Sequence, residues 1–297
     1  MTRRVLAVSL VLAGAALAQD TDFSKVEIKI VPVAGGVSML VGQGGNIGVT
    51  TGKDGTFLID DQFAPLLPKI RAAVKTLGDV PIRFVVNTHF HGDHTGSNAL
   101  LGESGTVIIA QDNVRRRLGV ERVNPGTKQR TPPQPPSAWP LVTYADGVTL
   151  FLNGDELEVT HVLRAHTDGD SLVRFKKANV IHMGDVFFNG SYPFIDVDSG
   201  GSVDGILATV DKVLPTLDAG TKVIPGHGPL GTKADLQTYR DLVAGIRDRV
   251  KALVAQGKTM DQVIAAKPTA QWDEKWGKGF MGPDVFVSFV YRSLTEA

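Results

Sequence analysis

Three histidines and an aspartate stand within six residues, directly after the apolar run 82–87. Such a run is typical of a buried β-strand. At the end of a strand, side chains two positions apart point in the same direction, so His89 and His91 can bind one cation together. Asp93 and His94 can face a second cation beside the first. The segment therefore predicts a metal site at a strand end, in a fold that brings further ligands to the same edge.

Three more loops place a metal-binding side chain close to a glycine after an apolar run. The residues concerned are His166, Asp185 and His227. A single His–Gly pair is usually only a turn, but four such loops in one chain form a specific pattern. The chain has seven histidines and no cysteine, so imidazole and carboxylate groups must hold any metal.

The order His-x-His-x-Asp-His, then His, then Asp, then His resembles the metallo-β-lactamase superfamily over most of the mature chain. The resemblance implies an α/β (α+β) fold, the αββα four-layer sandwich of two mixed β-sheets flanked by helices. It also implies two metal sites joined by one carboxylate. The first site is formed by His89, His91 and His166, the second by Asp93, His94 and His227, and Asp185 is the bridging residue.

The apolar periodicity agrees with two sheets, because strands and helices come in two batches. The predicted strands are 26–33, 36–42, 46–51, 55–60, 82–87, 106–110, 149–152, 156–163, 171–175, 179–182 and 222–224. The predicted helices are 64–77, 95–101, 114–118, 203–217, 233–256 and one from Pro283 onward. The proline-rich segment 124–140 is expected to be neither helix nor central strand, and it either covers the site or crosses the surface.

Residues 1–18 have the features of a secretory signal peptide. Arg3 and Arg4 precede an apolar run, and Ala16-Leu17-Ala18 resembles a cleavage site. We therefore expect an exported, periplasmic or secreted protein whose single domain spans residues 19–297. The formal net charge of zero gives no electrostatic footprint for nucleic acid or an anionic membrane. The expected partner is a small-molecule substrate with a hydrolysable carbonyl, and the oligomeric state stays open.

Other polar residues are expected to support the ligands. Asp60 is similar to the buried acid that orients the histidine loop in the family. His161 and His182 match no ligand of the family and are expected to pack or to hydrogen-bond near the site. Substrate contacts are expected from Asn189, Ser191, Tyr192 and Trp139. Phe187 and Phe188 are expected in the core.

Asp185 defines the subtype that the resemblance implies. A lactamase subclass with cysteine at this position is excluded, and another subclass keeps serine there. A bridging aspartate is typical of glyoxalase-II-like hydrolases and lactonases. Two Zn²⁺ ions are expected, with iron or manganese as alternatives because oxygen ligation loosens the preference for zinc.

The resemblance implies that a hydroxide shared by two ions attacks a carbonyl carbon, while Asp93 orients it and relays a proton. Hydrolysis of β-lactam rings is the leading prediction, and export favours it. Asp185 and the lack of a carboxylate-binding lysine after the third loop favour the alternative, a lactone, ester or thioester hydrolase. An iron-dependent oxidoreductase of the same fold and a non-catalytic metal protein are less favoured, because neither the expected glutamate replacement nor ligand loss is present.

We expect His89→Ala and Asp185→Asn each to abolish metal binding and activity, because each removes a ligand. The control His161→Ala should change either quantity little. Metal content after dialysis and hydrolytic rate test this, and the reverse pattern would show that the wrong imidazoles were chosen.

Overall fold

The computed structural model describes residues 22–123, 128 and 130–296; the predicted signal peptide lies outside them. A first, mixed sheet has seven strands in the order β1-β2-β3-β4-β5-β6-β9. These strands are β1 Lys29–Ala34, β2 Val37–Val41, β3 Ile47–Gly52, β4 Gly55–Ile59, β5 Ile82–Val86, β6 Val107–Gln111 and β9 Val142–Tyr144. Strands β4, β5, β6 and β9 run parallel, so their carboxyl ends meet at one edge.

A second, mixed sheet has six strands in the order β10 to β15. They are β10 Gly147–Leu152, β11 Asp155–His161, β12 Ser171–Phe175, β13 Val180–His182, β14 Lys222–Ile224 and β15 Gly231–Thr232. Strands β13 and β14 are parallel, and two antiparallel steps give β11 the same direction as β13. The loops that follow β11, β13 and β14 therefore leave from the same edge. A separate pair consists of β7 Arg122–Val123 and β8 Arg130–Thr131.

Nine α-helices occur in the described residues. They are α1 Leu67–Leu77, α2 Gly92–Thr95, α3 Asn98–Glu103, α4 Asp112–Leu118, α5 Val203–Val213, α6 Lys233–Ala255, α7 Met260–Ala265, α8 Asp273–Trp276 and α9 Pro283–Thr295. Short 3₁₀ turns include Pro136–Ala138 and Gly184–Val186.

Three buried apolar clusters separate four layers. One lies between α1 and the first sheet, where Ile70 and Val74 meet Leu58. The second lies between the sheets, and the third joins the second sheet to α5, α6, α7 and α9. The predicted αββα sandwich is therefore confirmed. No helix of the described residues combines the length and the apolar character needed to cross a membrane.

Several elements differ from the prediction. Strands β9 and β15 and helices α7 and α8 were not predicted, because two to six residues are too few to establish a period. The segment 124–140 was expected to be neither helix nor central strand; its described part contains the two-residue strand β8, which belongs to the separate pair, and the 3₁₀ turn Pro136–Ala138. Residues 124–127 and 129 lie outside the described part. The described remainder packs on α3, where Asn98 Nδ2 donates to the carbonyl of Ala138 at 3.0 Å, and on α4, where the N–H of Gln134 donates to the carbonyl of Leu118 at 2.8 Å.

The long helix α6 begins at a capping box. Thr232 Oγ1 accepts from the backbone N–H of Asp235, and Asp235 Oδ2 accepts from the N–H of Thr232 at 2.9 Å. These bonds satisfy N–H groups that have no partner within the helix. The cap also fixes where the chain leaves β15.

We expect Thr232→Ala to lower the free energy of unfolding by about 1 kcal/mol, because the cap is lost. The control is Thr238→Ala, an exposed position inside α6. It should change stability by less than about 0.5 kcal/mol. Urea unfolding followed by circular dichroism measures both, and equal losses would contradict the capping role.

Candidate metal centre

The seven predicted ligands come together at the edge where the strand ends of both sheets meet. Their donor atoms form two groups, each within 4.8 Å. The first group contains His89, His91, His166 and Asp185, and the second contains Asp93, His94 and His227. Strand β5 of the first sheet leads into the histidine loop, whereas β11, β13 and β14 of the second sheet lead to the other three ligands. The centre is thus a seam between the two sheets.

The first group is a compact set of imidazoles. The Nδ1 atom of His91 lies 2.9 Å from Nε2 of His166 and 3.1 Å from Nε2 of His89. Asp185 Oδ2 lies 3.5 Å from Nε2 of His166 and 3.9 Å from Nε2 of His89. Three nitrogens and one oxygen therefore face a common point, a donor set that suits zinc, iron or manganese.

The second group shares Asp185 with the first. Asp185 Oδ1 lies 3.0 Å from Nε2 of His94 and 3.4 Å from Nε2 of His227. Asp93 Oδ2 lies 3.3 Å from Nε2 of His227 and 3.6 Å from Nε2 of His94. The two oxygens of one carboxylate thus face the two groups separately.

Asp60 fixes two of the imidazoles. Its Oδ2 accepts from Nδ1 of His94 at 2.7 Å and from the hydroxyl of Thr88 at 2.8 Å. The oxygen of that hydroxyl lies 3.0 Å from Nδ1 of His89 and can accept its proton. In this network, a proton on each Nδ1 leaves the lone pair on Nε2 aimed at the centre.

The other two imidazoles of the first group are held in the same way. His91 Nε2 lies 2.9 Å from Asp196 Oδ2, and His166 Nδ1 lies 2.9 Å from the carbonyl of Phe194. Their outward nitrogens therefore donate, and their inward nitrogens carry lone pairs. Asp196 was not predicted, since it follows no apolar strand and lies 105 residues from His91 in sequence.

The first group fits a metal cation because its inward atoms are acceptors. Lone pairs that converge at about 3 Å repel one another unless a positive charge lies among them. Asp185 Oδ1 is also buried and accepts no hydrogen bond from the described residues. Leaving such an atom unpaired is costly, and a coordinated cation would remove that cost. These residues could therefore hold metal ions.

The pKa values of three histidines also support metal binding. Burial lowers the pKa of His166 to about 4, against the attraction of Asp185. Burial and the neighbouring His94 lower the pKa of His89 well below its usual range. Both imidazoles are therefore neutral and can bind a metal. For His227, burial opposes the charged form, but Asp185 and Asp93 raise the pKa to about 9, so this side of the centre attracts positive charge.

Two glycines allow the close packing around the ligands. A Cβ on Gly45 would overlap the ring of His94, and a Cβ on Gly226 would overlap Oδ1 of Asp185. Asn46 ties these two segments together, because its backbone N–H donates to the carbonyl of Gly226 at 2.7 Å. The glycines beside the predicted ligands therefore serve close approach as well as turning.

The two remaining histidines support neighbouring loops. His161 Nδ1 donates to the carbonyl of Asp170 at 2.8 Å, and Asp170 Oδ2 accepts from the N–H of His166 at 2.6 Å. His182 Nε2 donates to the carbonyl of Asn46 at 3.0 Å, while its Nδ1 accepts from a backbone N–H two residues on. Neither lies in the two ligand groups.

The four residues predicted to contact the substrate have different surroundings. Asn189 Nδ2 donates to the carbonyl of Pro229 at 2.9 Å and so braces the His227 loop. Ser191 is partly exposed and lies against Gly279. The predicted substrate contact of Tyr192 is contradicted by its burial, because long-range packing decides where this side chain lies. The predicted contact of Trp139 stays a prediction.

Tyr192 is fully buried in the helical layer. Its hydroxyl donates to Asp273 Oδ1 at 2.8 Å, and its ring stacks on Phe286 at 4.9 Å. Trp139 packs outside the first sheet, where its Nε1–H donates to the carbonyl of Gln134 at 3.0 Å. Among the described residues, no hydrogen bond joins 130–140 to the ligands, and Trp139 packs against the cluster that contains Phe90, Val114 and Leu118.

Phe187 and Phe188 are fully buried, as expected of core residues. Phe188 has a further contact, since its ring stacks on His227 with centroids 5.0 Å apart. The exposed Phe280 lies next to both, with its centroid 5.8 Å from that of His227. Phe280 was not predicted, because it follows the last predicted ligand by more than fifty residues and no local pattern marks it.

An αββα sandwich with a His/Asp centre at the seam of its sheets defines a class of metal-dependent hydrolases. The model of the metallo-β-lactamase superfamily matches residues 40–245. The chain belongs to this superfamily and is a metallo-hydrolase.

Individual relatives agree with this assignment. A hydroxyacylglutathione hydrolase from Polaromonas sp. is 32% identical over 147 residues, which are 48% of this chain and 47% of that protein. The chain thus matches only about half of that relative's length. A stereoselective inverting sec-alkylsulfatase from Pseudomonas sp. superposes with a TM-score of 0.66 at 17% identity, over 90% of this chain and 50% of that one. A metallo-β-lactamase from Pontibacter korlensis gives 0.59 at 17% identity, over 73% and 99%. At these identities the two structures show the fold alone.

We expect Asp196→Asn to weaken metal affinity about 10-fold or more, because the imidazole of His91 loses its charged acceptor. The matched control is Asp198→Asn, whose exposed carboxylate pairs with Arg292 instead. Competition with a chromogenic zinc chelator measures both affinities. Wild-type affinity in the Asp196 variant would rule out this orienting role.

Proposed function

We propose that the chain is a binuclear zinc hydrolase that cleaves the acyl bond of a lactone, ester or thioester. The observation that carries this proposal is the position of Asp185. One of its oxygens lies 3.5 Å from His166 Nε2 and the other lies 3.0 Å from His94 Nε2. A carboxylate that faces both groups supports two cations that share one ligand.

Two zinc ions held there would supply an activated water and an electrophile for the substrate carbonyl. The ligands differ in their access to solvent. His91 and Asp93 are each 16% exposed and His227 is 20% exposed, whereas the other four are at most 5% exposed. We call these three residues the open edge. The substrate therefore approaches the centre across the open edge.

Asp93 is the group in the open edge that can handle a proton. Burial raises its pKa, but the attraction of His94 and His227 outweighs burial and lowers the pKa to about 2. The carboxylate is therefore ionised at neutral pH. It can take up the proton that the attacking water loses and pass that proton to the leaving group, so no protein nucleophile is required.

Two observations support an oxygen or thioester leaving group. The bridging position holds an aspartate, and the chain is similar in sequence to a protein named hydroxyacylglutathione hydrolase. The β-lactam ring, the leading prediction from sequence, remains a second substrate class to be tested. Export through residues 1–18 also remains a prediction.

The purified protein should contain close to two zinc ions per chain and should hydrolyse at least one acyl substrate. The assay compares p-nitrophenyl esters, γ- and δ-lactones, S-lactoylglutathione and a chromogenic cephalosporin. Chelation should abolish turnover and added zinc should restore it. Asp93→Asn should lower kcat about 10²- to 10⁴-fold or more, because it removes both the proton-transfer group and one candidate ligand of the second group.

The control is Asp261→Asn, which changes an exposed carboxylate at the start of α7. It should leave kcat unchanged. Turnover of the cephalosporin alone would replace the proposed substrate class with β-lactams. Metal-loaded protein that hydrolyses none of the panel would contradict the proposal.

A further inference from the structure

A large apolar side chain stands exposed beside the open edge. Phe280 is 42% exposed, and its ring centroid lies 5.8 Å from that of His227 and 5.9 Å from that of Phe188. Phenylalanine is among the residue types most often buried. An exposed phenyl ring against a predicted metal ligand therefore marks a surface that can bind an apolar group.

The position of Phe280 is fixed by its neighbours along the chain. It lies between α8 and α9, with Trp276 buried before it and Met281 buried directly after it. A Cβ on Gly279 would come within 2.7 Å of the Cβ of Ser191, so this turn packs closely on the chain that follows Asp185. The fold thus holds the ring at the open edge.

A second phenyl ring lies on the opposite flank. Phe194 stacks on His91 with centroids 5.6 Å apart and an interplanar angle of 28°, and it packs edge-on against Phe289. It is only partly buried. Phe194 and Phe280 therefore flank the open edge, one beside His91 and the other beside His227.

We propose that Phe280 determines substrate specificity by binding an alkyl or aryl group next to the scissile bond; this inference rests on the proposed acyl hydrolysis. Binding of an apolar group against a phenyl ring lowers the free energy because apolar surface is removed from water. The ring offers a charged group no counter-ion. Esters, lactones or thioesters with an apolar group beside Phe280 are therefore favoured over substrates with a charged group there. Phe280 lies outside residues 40–245, the part of the chain that the family model matches.

Binding of two hydroxamic acids to the zinc-loaded protein tests the inference without turnover. Acetohydroxamate and octanohydroxamate share a metal-binding group and differ only in chain length. We expect octanohydroxamate to bind at least about 30-fold more tightly, because burial of two or three of its additional methylenes, at about fourfold each, gives this ratio. Phe280→Ala should reduce this ratio about 10-fold, and Phe280→Leu should keep most of it. Isothermal titration calorimetry measures the affinities.

The matched control is Phe151→Ala, which removes an exposed phenyl ring from the edge strand β10. It should leave the ratio unchanged. An unchanged ratio in Phe280→Ala, a loss only in Phe194→Ala, or no preference for the longer probe would each overturn the inference.

The same variants separate this inference from the proposed function. With p-nitrophenyl acetate and octanoate, Phe280→Ala should raise KM for the octanoate about 10-fold while kcat stays near the wild-type value. If the protein hydrolyses no acyl substrate but Phe280→Ala still removes the chain-length preference, the hydrolase proposal fails and the apolar binding role stands. If hydrolysis occurs with no dependence on Phe280, only the inference fails.

Discussion

The structure depends on one electrostatic constraint, which is that seven donor groups are packed together with most of them out of water. Two carboxylates and several inward-facing lone pairs cannot be buried together without a positive charge among them. The high pKa of His227 and the unpaired Oδ1 of Asp185 are two consequences of the same requirement. Metal ions would meet that requirement, so binding of metal and stability of this edge should be coupled.

The sandwich meets this constraint by using both sheets. Parallel strands place their carboxyl ends at one edge, where the histidine loop of the first sheet meets three loops of the second. Backbone hydrogen bonds close the seam, for example from the N–H of Ser171 to the carbonyl of Thr88 at 2.8 Å. The ligand groups are thus divided between elements that pack on separate apolar clusters, and the seam must form before either group is complete.

The ligands could be predicted because each stands next to a strand end, where spacing and direction follow from local geometry. The supporting and apolar residues could not be predicted in the same way. Asp196 and Phe280 reach the centre through long-range packing, which leaves no periodic signal. Tyr192 and Trp139 were assigned to the substrate because they are near Asp185 in sequence or lie in a proline-rich segment, but packing against helices decides where their side chains lie.

Ligands stand at strand ends, whereas the supporting and apolar residues are placed by long-range packing. This difference determines how function is distributed along the chain. The chemistry of the centre needs donors at fixed distances, so it belongs to strand ends inside the region matched by the family. Substrate selection needs only surface of the right character beside the open edge, and a turn between two helices can supply it. Because Phe280 contacts His227 without contributing a ligand atom, the proposed function implies that changes in this turn would alter which acyl group is accepted and leave the ligand positions intact.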